Sequence, residues 1–184
     1  NGIASTEVDC GVYERGIWDQ CYDLAAEGKN ISIKSTKPIG YFLLLETNGY
    51  EVDHKKKNVT YTHAMGGQRI INDFIVLVKV GMTEKGASQK DKKEIILIDG
   101  NPEKYLNYSY FSFFCGYISN HDFYTAIINH DQILSKGTSG FGPKGLATEN
   151  CCIPIRMNSE GNKKCPNLTV LRPIEEIIIN LKGV

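Results

Sequence analysis

Six cysteines, four Asn-x-Ser/Thr triplets, two Asn-His-Asp triplets and one glycine-rich stretch are the reactive or ligand-binding patterns in this 184-residue chain. Cys10, Cys21, Cys115, Cys151, Cys152 and Cys165 make an even set, which suits three disulfides in an oxidising compartment. None shows the C-x-x-C spacing of a zinc knuckle or a thioredoxin-type site, so no metal is expected. Cys151 and Cys152 are neighbours, and a bridge between neighbours violates normal disulfide geometry. Each is therefore expected to reach a different partner, one closing a loop to Cys165 and the other meeting Cys115 or the N-terminal region. The triplets begin at Asn30, Asn58, Asn107 and Asn167, the acceptor pattern for N-glycosylation of secreted proteins. Chance would place roughly 1.5 such triplets in a chain of this composition.

Other motifs carry less. Gly140, Gly142 and Gly145 spell G-x-G-x-x-G, but a dinucleotide site needs a strand before the glycines and a helix after them. Ala147-Thr148-Glu149-Asn150-Cys151-Cys152 follows instead, so the stretch reads as a mobile loop on a binding rim, with Phe141 as a contact residue. Asn120-His121-Asp122 recurs as Asn129-His130-Asp131. Nine extended residues span about 30 Å and nine helical ones about 13 Å, too far for one metal, so both triplets read as turns flanking a strand. His54-Lys55-Lys56-Lys57 reads as a solvated loop that, with Lys90, Lys92 and Lys93, could attract a glycosaminoglycan. No G-x-S-x-G nucleophile motif is present. No catalytic residue and no cofactor is assigned.

The elements that must position these groups are mostly strands. Asn58-Val59-Thr60-Tyr61-Thr62 and Asn107-Tyr108-Ser109-Tyr110 alternate with period two, putting Asn and Thr on a solvent face and the apolar residue on the core face. Strands are predicted at about 30–35, 39–47, 57–63, 70–82, 94–98, 105–118 and 122–128, with weaker ones near 152–156 and 167–171. Phe74-Ile75-Val76-Leu77-Val78 has no polar face, as a central strand covered on both sides requires. Ile17, Cys21, Leu24 and Ala25 follow helical spacing, with Gly28 as the cap. In the tail from Pro173 to Leu181 the proline and two glutamates suit a helix start while the isoleucine run suits a strand, and propensity tips the assignment to a strand. The expected architecture is a single domain over residues 1–184, all-β and mainly antiparallel, a sandwich or closed barrel with a short N-terminal helix.

Lysine plus arginine equal aspartate plus glutamate at 21 each, which argues against a polyanion-binding or disordered chain. No apolar run approaches the roughly 18 residues of a membrane span, and a removed signal peptide is expected. The balance is uneven along the chain: Glu7, Asp9, Glu14, Asp19, Asp23 and Glu27 face only Arg15 within residues 1–28, a net of −5 that leaves +5 for the rest. Gly16-Ile17-Trp18 resembles the Gly-x-Trp signature of lipocalins, and residues 18–36 resemble the opening of salivary lipocalins. That resemblance implies a barrel holding a small amine or lipid. The sequon-rich, cysteine-rich character is similar to the secreted immune-evasion glycoproteins of parasites, including helminth chemokine-binding proteins. That likeness implies capture of a basic host chemokine or cytokine, which Glu7, Asp9, Glu14, Asp19 and Asp23 would attract.

Overall fold

The computed structural model describes residues 23–36, 40–62, 69–84, 108–141, 144–156 and 167–182. Within them the chain runs β1 (Leu24–Ala26), β2 (Lys29–Thr36), β3 (Phe42–Glu46), β4 (Tyr50–Asp53), β5 (Asn58–Thr62), β6 (Arg69–Ile70), β7 (Phe74–Glu84), β8 (Tyr108–Ser119), α1 (Asn120–Ile127), β9 (Ile133–Leu134), β10 (Asn150–Pro154) and α2 (Glu175–Lys182). Three sheets form, ordered β1-β2-β7-β8, β3-β10-β9 and β4-β5-β6. The fold is all-β in character and sandwich-like, mainly antiparallel, with one parallel pair, β2 against β7. Among the described residues none of the sheets closes into a barrel. No helix among the described residues is long and apolar enough to cross a membrane.

β7 is the central strand that its unbroken apolar run requires. Ile75 and Leu77 bury into a cluster with Leu43, Leu45, Ile118 and Ile153, while Phe74 and Val76 bury on the opposite face with Ile31, Tyr117 and Ile177. The first cluster lies between the four-stranded sheet, the other two sheets and α1; the second is roofed by α2. Each such side chain contributes about 1.5–3 kcal/mol by leaving water.

Sequence expectation and structure part company mainly at helices. Leu24 and Ala25 are not helical: they pair with Ile31 and Asn30 as a hairpin arm. Glu27 (φ 49°) and Gly28 (φ 71°) are its turn, both with the positive φ that a two-residue hairpin loop demands, so Gly28 closes a turn rather than a helix. The segment expected to be a strand at 122–128 is α1. Ser119 caps it, its hydroxyl accepting from the Asp122 N–H at 3.1 Å and donating to Asp122 Oδ2 at 2.7 Å, and this reciprocal cap outweighs the β-propensity of Phe, Tyr and Ile. The tail is α2, begun by Glu175 and Glu176 in its first turn, where carboxylates favour a helix N-terminus. Residues 167–171 form no strand. They are held by Gln132, whose side chain donates to the Thr169 carbonyl at 2.9 Å and accepts from its N–H at 2.8 Å.

Candidate functional site

Among the described residues, an exposed aromatic surface lies just beyond a bulge in the pairing of β7 with β8. Opposite Leu77 and Val78, β8 presents Gly116 and Phe114, leaving Cys115 unpaired between them. Beyond this point β7 and β8 run on as a ribbon with Val78 opposite Phe114, Lys79 opposite Phe113 and Gly81 opposite Phe111. Phe113 is 58 % and Phe114 65 % exposed, on opposite faces because they are consecutive in a strand. Phe111 and Phe113 rings lie 5.6 Å apart. Lys79 Nζ stands 5.2 Å over the ring of Tyr41, which is 69 % exposed. Phe42, next along, meets Phe141 at 6.1 Å between ring centroids. The result is a strip from Phe141 through Tyr41 and Lys79 to Phe113, with Phe114 and Val80 behind it.

Of the acidic residues assigned to partner contact, only Asp23 is described, and it is engaged within the chain. Its Oδ2 accepts from the Ser32 hydroxyl at 3.2 Å and from the Ile33 N–H. Glu7, Asp9, Glu14 and Asp19 lie outside the described residues, as do Cys10, Cys21, Cys165, Asn107, Gly16 to Trp18 and Lys90 to Lys93. Among the described residues no disulfide joins Cys115, Cys151 and Cys152, which carry free thiols where bridges were expected. Burial pushes the Cys151 thiol up to about 12 and that of Cys152 up to about 11. No group of three or more metal-ligating side chains occurs among the described residues.

Two backbone bonds close the base of the glycine-rich stretch, whose residues 142 and 143 lie outside the described residues. Gly137 N–H donates to the Leu146 carbonyl at 2.8 Å and Leu146 N–H to that of Thr138 at 3.1 Å. Asp53 organises the lysine run, accepting from the Lys55 and Lys56 N–H groups at 2.9 and 3.0 Å. Those bonds, that of Lys56 foremost, hold its carboxyl below the usual carboxylate range. His54 and His121 both lie against Tyr124, with ring centroids 6.0 and 6.3 Å away. His121 and Asp122 open α1, whereas His130 and Asp131 lie in the turn after it, so the segment between the triplets is a helix rather than the expected strand.

Described residues line two half-open clefts. One of about 770 Å³ lies between Lys34, Leu44, Glu46, Tyr50 and Tyr61; the other, about 440 Å³, lies on the outer face of the β4-β5-β6 sheet. At the rear of the first, burial and the neighbouring Tyr61 push the Tyr50 phenol well above its ordinary value, so it stays protonated. Tyr41 and Phe42 were missed as surface residues by sequence reasoning. Phe113-Phe114 carried a readable signal, since two consecutive aromatics in a strand cannot share one core face. No protein-family profile, curated protein or solved structure matches the chain.

Proposed function

We propose that the chain is a secreted, N-glycosylated binding protein that captures an extracellular protein mediator without catalysis, using the strip around Tyr41, Phe113 and Phe114. The observation that supports it is the exposure of three large aromatic side chains on the β7-β8 ribbon and its flank. Single exposed apolar residues are ordinary, but Tyr41 and Phe113 flank Lys79 on one face, and neighbouring aromatic surface is costly to leave in water and is characteristic of interface anchors. A lipocalin-like carrier would need an enclosed cavity, and both clefts are half-open with polar groups in their walls. The acidic segment at residues 1–28 would steer a basic mediator of chemokine or cytokine type toward the strip.

The test is titration of the secreted, purified chain against a panel of basic chemokines and cytokines by calorimetry. At least one should bind, and the double variant Phe113→Ser/Phe114→Ser should weaken it about 30-fold or more, as the loss of an interface anchor does. Undiminished binding by that variant overturns the assigned surface. A chain that binds no protein of the panel, yet carries a small molecule through native mass spectrometry, overturns protein capture itself.

A further inference from the structure

The outer face of the β4-β5-β6 sheet is where the sequons and the surface meet. Val59 is buried, so Asn58 and Thr60, its neighbours on β5, both turn outward. They line the 440 Å³ cleft with Glu51, Lys56, Arg69 and Ile71. Glu51 pairs with Arg69, and the Thr62 hydroxyl donates to Glu51 Oε1 at 3.3 Å. Ile71 stands 42 % exposed at the cleft, an apolar platform amid charged and hydroxyl groups. No hydrogen bond among the described residues engages the side-chain amide of Asn58.

The other two described sequons differ. Asn30 Nδ2 donates to the Ile71 carbonyl at 3.2 Å, and Ser32 is buried with its hydroxyl on Asp23. Asn167 is exposed in a turn, its own carbonyl accepting from Asn129 Nδ2 at 3.2 Å, and lines neither cleft. Among the described sequons only Asn58 combines a free amide, a threonine on the same face and a cleft into which the attached sugar must project.

We infer that Asn58 carries an N-linked glycan whose first N-acetylglucosamine units lie in this cleft, packing an apolar sugar face on Ile71 and hydrogen-bonding to Glu51, Lys56 and Arg69. This rests on the secreted reading given above. The donor is a lipid-diphosphate-linked oligosaccharide. The Asn58 Nδ2 bonds to the anomeric carbon of the first sugar as the bond from that carbon to the diphosphate oxygen breaks. The lipid diphosphate leaves with the electron pair, and the amide gives up one proton. A seated glycan covers the polar face of the small sheet and leaves the aromatic strip on β7 and β8 bare.

The experiment expresses the full chain through a eukaryotic secretory pathway and maps its peptides after an amidase converts each glycosylated asparagine to aspartate. Asn58 should show the mass increase of that conversion in nearly all molecules. The urea midpoint should survive trimming of the glycan to its first two sugars and fall in Asn58→Gln. Ile71→Ser should lower the midpoint of the glycosylated chain and leave that of Asn58→Gln unchanged, because without the sugar the platform is ordinary exposed surface. Conversion at Asn30 or Asn167 with none at Asn58 overturns the inference while leaving secretion standing. No conversion at any sequon overturns both. Conversion at Asn58 with an equal effect of Ile71→Ser in both backgrounds overturns the seat alone.

Discussion

Asp122 is the residue on which most local chemistry converges. It belongs to the cap of α1, and it also receives Arg172 in a two-pronged pair at 2.7 and 2.8 Å, tying the helix to the segment that leads into α2. Burial acts to raise its carboxyl, but the bonds from Arg172 and Ser119 outweigh it and hold the group below the usual range. A carboxylate with a lowered folded value contributes stability that is complete above its unfolded value near about pH 4 and is lost as pH falls through the folded value. Asp122→Asn should therefore cost about 1–2 kcal/mol at pH 7 in urea unfolding. The variant should also lose less stability than the native chain between about pH 4 and pH 2, whereas parallel pH curves would remove the pair from the account. Cys151 and Cys152 make a second case. Thiolate is the reactive form, and burial suppresses it in both residues. Native protein should accept alkylating reagent at these two positions only slowly at pH 8, and rapidly in denaturant without reductant. Resistance in denaturant would mean that they are bridged.

At the scale of elements, the bulge in β8 depends on Gly116. Its φ of +138° is closed to most side chains, and a Cβ there would sit 2.5 Å from the Arg172 carbonyl oxygen, the group that accepts from Tyr117 N–H. Gly116→Ala should destabilise the fold by about 2 kcal/mol or more, read as a lower urea midpoint, since both strain and the broken Tyr117–Arg172 bridge contribute. A neutral effect would mean that the bulge relaxes. The strands were the legible part of the sequence. Val59 between two outward polar residues, and the apolar run from Phe74, are patterns set by burial alone, and burial is written in residue type. The helices were not legible, because α1 is decided by one reciprocal cap, Ser119 with Asp122, against eight residues of mixed propensity. Leu24 and Ala25 fit either period, and only pairing with Ile31 and Asn30, fixed by the Glu27-Gly28 turn, selected the strand. The aromatic strip was half legible. Phe113-Phe114 could be read from adjacency, whereas Tyr41 joins it only through the fold's placement of Lys79.

For the whole molecule, the two clusters on either face of the four-stranded sheet have unequal support. The first is enclosed by two further sheets and α1, while the second, formed by Ala26, Ile31, Phe74, Val76 and Tyr117, is closed by Ile177 of α2 and Ile174 just before it. Truncating the chain after Pro173 removes that roof and nothing from the first cluster. Ile31, Phe74 and Val76 would then face water, at roughly 1.5–3 kcal/mol for each side chain fully exposed, a large part of the 5–15 kcal/mol that holds a domain of this size together. The aromatic ribbon grows from the strands that the first cluster anchors, through Ile75, Leu77 and Ile118. The truncated chain should accordingly keep its far-ultraviolet β signal, gain binding of a hydrophobic dye, unfold at lower urea and still present Phe113 and Phe114 to a protein partner. Complete loss of the β signal on truncation would show instead that both clusters fold as one unit, with the ribbon dependent on the helix that lies across the sheet from the first cluster.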